Sequence, residues 1–203
     1  MTKSNSGMTL IELLVASFII VMLGLGILSL QILLGKNQNI AVNSYLNVEE
    51  TNRIVSDFVK EIRVAEYSES GGYPLSSVTD NQIIFYSDVN FDGSIDRVRY
   101  TFTGTSLIKG VIKPTGQPAT YPTANEMVTI LSDKIKNGST PVFYYYNGDW
   151  PVDTQNNPLP LATRIANTRT VKIYLVINAS QINAREDYQL ESSSNIRILK
   201  DNI

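Results

Sequence analysis

Residues 88–96, DVNFDGSID, hold a dense set of oxygen donors at regular spacing. Asp88, Asn90 and Asp92 stand at alternate positions, Gly93 falls where a sharp turn is needed, Ser94 offers a backbone carbonyl and Asp96 a carboxylate able to act through water. These match the first nine positions of an EF-hand-type calcium loop, in which carboxylate and carbonyl oxygens surround a hard cation. The twelfth position of such a loop is a bidentate Glu, and here it is Arg99. Calcium is therefore the one cofactor the sequence points to, at the roughly 0.1–1 mM affinity of extracellular sites. Without that Glu the calcium reading is weakened, and the reading favoured over it is a plain hairpin tip with no cofactor, where Asp, Asn and Gly are favoured for turn geometry alone.

A second carboxylate is notable for its surroundings. In SGMTLIELLVASFIIVMLGLGILSLQILLG, residues 6–35, Glu12 is the only charged side chain. A carboxylate in mid-bilayer costs at least about 2.5 kcal/mol, so it is seldom kept without a partner. Leu13 to Leu34 is free of charge and, at about 1.5 Å per residue, long enough to cross a bilayer once as a helix. A cleaved secretory signal has a shorter apolar core and ends on an A-x-A-like site, which LLGKNQ does not supply. A soluble core helix that is apolar on every face needs more protein around it than the remaining residues provide.

The rest of the chemistry is narrowed by what is missing. The 203 residues include no Cys and no His, which removes disulfide frameworks, the usual zinc sites and the commonest general base. An enzyme would need a carboxylate pair or an activated nucleophile in a cleft, and the one acidic cluster sits at a turn, so no catalytic residue is expected. A net charge of −2, with 18% charged residues, provides no broad basic field, and nucleic acid is not supported as a partner. Arg97, Arg99, Lys109 and Lys113 would form a phosphate contact only on a shared face. Tyr144, Tyr145, Tyr146 and Trp150 would form a stacking platform only if they pointed outward together, which strand alternation forbids for part of the set. The Asn-x-Ser sequons at Asn137 and Asn178 matter only in a eukaryotic secretory pathway.

The stretch Gly7-Met8-Thr9-Leu10-Ile11-Glu12, preceded by the short polar MTKSNS with Lys3 and followed by LLVA, resembles the class III signal of type IV pilins and type II secretion pseudopilins. That resemblance implies cleavage by a prepilin peptidase between Gly7 and Met8, N-methylation of the new amino group on Met8, and an assembly role for Glu12. The cationic amino terminus would lie about one helical turn from Glu12, and opposite charges in low-dielectric surroundings stabilise each other's ionised form. In the family's filaments this glutamate is thought to meet a neighbouring subunit's amino terminus and set the axial register. Two departures stand out: Met8 where the family more often has Phe, and no Pro before Pro74, which leaves Gly24, Gly26 and Gly35 as the softer points of the helix.

These groups need elements to hold them. Residues 1–7 are read as a leader, 8–35 as a transmembrane or filament-core helix, 36–70 as an amphipathic helix and 71–203 as a β-rich head. Val48, Thr51, Val55, Phe58, Ile62 and Ala65 recur at spacings of three and four, one face of a helix continuing to about Tyr67. That face is expected to join the core of the head; a dimeric coiled coil is the alternative. SESGGYPLSSVTDN reads as loop. Strands are expected at Gln82–Ser87, Arg97–Thr103, Leu107–Lys113, Val142–Tyr146 and Thr170–Ile177, from their β-branched and aromatic content. NEMVTILSDKIKNG leans to strand, and a last strand is placed within Ile196–Leu199.

A long helix followed by a mostly antiparallel sheet is an α+β arrangement, and it is similar to the pilin-like fold. The order of elements in the head also resembles the minor pseudopilins called J and the minor pilins called W. A minor pilin or pseudopilin near a filament tip or in a priming complex is thereby implied, as an inner-membrane protein with an extracytoplasmic head before assembly. Its partners would be other pilin subunits, the peptidase, the inner-membrane assembly platform and the lipid bilayer. An adhesin or DNA-uptake subunit on the same scaffold and a membrane-anchored enzyme are the alternatives.

Overall fold

The computed structural model describes residues 9–177 and 187–199. The chain divides into two compact units, residues 1–43 and 44–203. Helix α1, Leu10–Arg63, runs unbroken through Gly24, Gly26 and Gly35 and contributes to both units. Its end falls short of Tyr67 for a backbone reason: past Arg63 the chain turns so that the Glu66 N–H can donate to the Tyr86 carbonyl at 2.9 Å, and Ser68 closes a turn with Gly72. Sheet pairing outcompetes another turn of helix here.

The second unit carries two sheets. The first joins β1 (Leu75–Val78), β2 (Gln82–Ser87), β3 (Asp96–Thr103), β4 (Ser106–Ile112) and β5 (Met127–Ser132) in sequential order. The second joins β6 (Phe143–Tyr146), β7 (Thr170–Ile177) and β8 (Tyr188–Asn195). Every pairing is antiparallel. The arrangement is α+β as expected, with two sheets in place of one. They are tied at the start of β6, where the Val142 and Phe143 N–H groups both donate to the Asp80 carbonyl at 3.0 Å.

Two strand expectations are corrected. LSSV, read as loop, is β1, because β2 offers it a ladder from Leu75 opposite Phe85 to Val78 opposite Ile83. The last strand is Tyr188–Asn195, a polar run paired along its whole length with β7. Residues Arg197–Leu199 form a 3-10 turn, with Ile196 and Leu199 buried as apolar anchors.

Burial selects the expected stripe of α1. Thr51, Val55, Phe58 and Ile62 are buried, as is Ala65 just past the helix end, and Val48 is half-buried. Val55, Phe58, Ile62 and Ala65 join Phe85, Val98, Tyr100 and Phe102 of the first sheet and Phe143, Tyr145, Val171 and Ile173 of the second in one continuous core. The amphipathic face therefore serves the core and not a coiled coil. Tyr100 is buried as well, and its hydroxyl donates to Glu61 at 2.8 Å. Burial, reinforced by the Glu61 charge, pushes the Tyr100 phenol well above its ordinary range. Lys109 completes this network by pairing with the other Glu61 oxygen.

One glycine sits at a close approach to a charged side chain. Arg99 on β3 forks onto Glu126, Nε to Oε1 and Nη2 to Oε2 both at 2.8 Å, across Gly110 of β4, which stands opposite Arg99 in the ladder. A Cβ on Gly110 would lie 2.2 Å from Glu126 Oε1. The Arg99 hydrogen bonds hold the Glu126 carboxyl below its usual range. A carboxyl whose folded pKa is depressed binds fewer protons folded than unfolded, so its stabilisation is present above the unfolded value and is lost as pH falls through the folded one. Gly110→Ala is expected to push Glu126 off the fork and to cost about 1–3 kcal/mol. It should also flatten the decline in stability below about pH 4. Urea unfolding between pH 3 and 7 reads both effects, and an unchanged acid limb would show that the fork contributes nothing.

Candidate functional site

Thr9 and Glu12 open helix α1. The Thr9 N–H and Oγ1 donate to Glu12 Oε2 at 2.8 and 3.0 Å, and the Glu12 N–H reaches back to Thr9 Oγ1 at 3.4 Å. The Leu13 N–H closes the first turn onto the Thr9 carbonyl at 3.2 Å. This is a reciprocal capping box, which satisfies orphan donors of the first turn with side-chain oxygens. The signal for it is present in the sequence as T-x-x-E before an apolar run, a local partner for Glu12 that needs no second charge. In the isolated chain, then, Glu12 already has a local task. Gly7 and Met8, the expected cleavage and methylation positions, lie outside the described residues.

From Leu10 to Gly35 the helix is long and apolar enough to cross a membrane, and its most apolar stretch is not buried within the chain. Leu10, Phe18, Ile20 and Ile32 are all more than 60% exposed. Water does not tolerate so continuous an apolar surface; lipid or the equivalent surfaces of other helices do.

The calcium-type residues fall at the tip of the β2–β3 hairpin. Asp88 accepts the Asp92 and Gly93 N–H groups at 3.2 and 2.9 Å, and Asp92 accepts the Ser94 N–H at 3.0 Å and the Lys113 ammonium at 2.6 Å. Gly93 takes a φ of +83°, and Phe91, 89% exposed at the tip, takes +56°. Asp96 is fully buried; Asn90 donates to its Oδ2 at 2.6 Å, while Oδ1 has no partner among the described residues. Burial, with the Asp92 and Asp88 charges, raises the Asp96 carboxyl above its ordinary range, and the Lys113 charge opposes them. The Lys113 hydrogen bond lowers Asp92. Among the described residues no three acidic side chains already converge as a ligand set. Arg99, at the twelfth position, lies inside β3 and is committed to Glu126.

The other candidate sets come apart. Tyr145 is buried, with its hydroxyl donating to the Thr79 carbonyl at 2.8 Å, whereas Tyr144 lies under the Lys172 ammonium at 4.8 Å from its ring centre. Tyr146 packs on Trp150 with ring centres 4.6 Å apart. Alternation has split the run, and no shared stacking face results. Of the basic set, Arg99, Lys109 and Lys113 are paired with Glu126, Glu61 and Asp92. The Asn137 side chain is structural: it donates to the Tyr174 carbonyl and accepts the Val176 N–H. Asn178 lies outside the described residues.

An exposed apolar helix with a polar capped start, followed in the chain by an antiparallel head, defines a pilin-like α+β arrangement with one candidate membrane span among the described residues. Residues 2–28 match the family model described as the prokaryotic N-terminal methylation motif. The match takes in Gly7, Met8, Thr9 and Glu12, so the chain carries a type IV pilin-like N-terminal signal. No curated protein matches the chain.

Proposed function

We propose that this chain is a minor pilin or pseudopilin: a precursor cut after Gly7, methylated on Met8, held in the inner membrane by its N-terminal helix and then built into a filament as a structural subunit without catalysis. The observation that carries this reading is the methylation-motif match at residues 2–28 running directly into an exposed apolar helix. A leader alone would not need the second feature, and an anchor alone would not need the first. The resemblance of the order of elements in the sequence of the head to J- and W-type minor subunits implies a tip or priming position.

Edge strand β5 adds support for packing between subunits, since Met127, Val128 and Ile130 are each more than half exposed on a strand paired on one side only. Such edges invite a partner. For DNA uptake this hairpin offers little, because Arg99, Lys109 and Lys113 are each held by a carboxylate.

Mass spectrometry of the mature N-terminus tests the reading directly. Chain recovered from membranes or filaments of cells with the prepilin peptidase is expected to begin at methylated Met8. An intact Met1 in assembled material, or an end beyond residue 30, would overturn it.

A further inference from the structure

We propose that the β2–β3 hairpin tip is a calcium site built from Asp88, Asn90, Asp92, Asp96 and the Ser94 carbonyl, and that Lys113 is the resident positive charge that calcium displaces.

Asp96 is the observation that points beyond a simple turn. Its residue is wholly buried, and its carboxylate is turned into the loop, where Asn90 donates to one oxygen and the other has no donor among the described residues. A hairpin tip needs Asp and Gly for its own geometry, and Asp88, Asp92 and Gly93 serve that need. It does not need a buried carboxylate with an orphan oxygen, which is costly unless something satisfies it. A cation held between Asp96 and the rest of the tip would do so.

The charge balance agrees. Asp88, Asp92 and Asp96 face one ammonium, and a fourth carboxylate, Glu69, lies one residue away, with its Oε1 accepting the Ile95 N–H at 3.1 Å. Lys113 holds only Asp92, at 2.6 Å, and both side chains are partly exposed, so this pair is screened and exchangeable. The donors are all oxygen and include a backbone carbonyl. That set suits calcium, which takes six to eight oxygens in adaptable geometry, better than magnesium, which demands a near-ideal octahedron and gives up its water reluctantly. With Arg99 in place of the twelfth-position Glu, water completes the shell, and an affinity of about 0.1–1 mM follows. Binding exchanges present contacts for new ones: the ammonium leaves Asp92, and Asp88 and Asp92 rotate toward the ion.

The test uses the full chain in detergent, freed of metal by chelation and titrated with calcium chloride and magnesium chloride by calorimetry. Thermal unfolding is followed in parallel, with and without 10 mM calcium. Wild type is expected to bind calcium saturably and to melt higher with it. Asp96→Asn, which removes the buried charge and keeps the shape, is expected to fold at least as well as wild type without metal, to bind at least tenfold more weakly and to lose the calcium-induced rise in melting temperature. Lys113→Met, which removes the competing cation, is expected to bind several-fold more tightly. No saturable heat from folded wild type up to 10 mM calcium would overturn the site, as would Asp96→Asn binding as wild type does. Magnesium bound as tightly as calcium would overturn the assignment of the ion. A Lys113→Met affinity equal to or below that of wild type would overturn the displacement.

Discussion

Replacing Glu12 by Ala is expected to leave cleavage after Gly7 and membrane insertion largely unchanged while lowering recovery of the chain in assembled filaments by tenfold or more. In a bundle of apolar helices the amino group on Met8 would be a charge without water, and breaking a buried ion pair by removing one partner costs about 3–5 kcal/mol. A tenfold loss needs only about 1.4 kcal/mol. The structure gives Glu12 a competing role, since it also caps α1 through Thr9, and losing an N-terminal cap costs about 0.5–2 kcal/mol. Two further variants separate the roles. Glu12→Gln can still cap, because Gln serves at this position of a capping box, but it carries no charge; Thr9→Val keeps the charge and loses the hydroxyl. Quantifying each variant in sheared filaments against total membranes decides the matter. If Glu12→Gln assembles normally, the charge is not what joins subunits; if it fails as Glu12→Ala does while Thr9→Val assembles, the ion pair is.

Phe58→Ala should destabilise the second unit by about 3–5 kcal/mol, the range for an aromatic truncated in a core. Phe58 is fully buried on α1, and its ring centre lies 5.2 Å from Tyr100 and 6.4 Å from Phe85, both edge-on, and 5.4 Å from Phe143. It thus joins the helix to both sheets, and its loss removes edge-to-face contacts as well as area. For a unit of this size each kcal/mol moves the midpoint by about 2–4 °C, so a fall of roughly 6–20 °C is expected. Near-ultraviolet circular dichroism on heating would measure it. Val152→Ala, at a position 90% exposed, should change the midpoint by less than about 2 °C. A Phe58→Ala midpoint as little affected as that would show that the two sheets do not depend on this contact.

Much of the second unit was legible from side-chain type. QIIFYS and TVKIYLVI are strands over the expected bounds, because branched and aromatic residues suit a half-buried pleat wherever they occur. The stripe from Thr51 to Ile62 was legible for the same kind of reason: its period matches one face of a helix. LSSV and YQLESSSN were not legible. Their composition has little strand character, and they are strands only because β2 and β7 offer them ladders of backbone hydrogen bonds, which no local signal announces.

The candidate sites divide along the same line. The sequence by itself determined the N-terminal signal, since G-M-T-L-I-E, the apolar run after it and the lone carboxylate within it are adjacent in the chain and owe nothing to distant residues. It also determined which residues of the 88–96 loop carry oxygen. Only the tertiary structure decided that Asp96 is buried with an orphan oxygen, that Lys113, from the far end of β4, answers Asp92, and that Arg99 faces Glu126 across Gly110. Those pairings depend on strand register and on which neighbours cover a carboxylate. Charge and burial act through space, and the chain order of the partners does not record the distances between them.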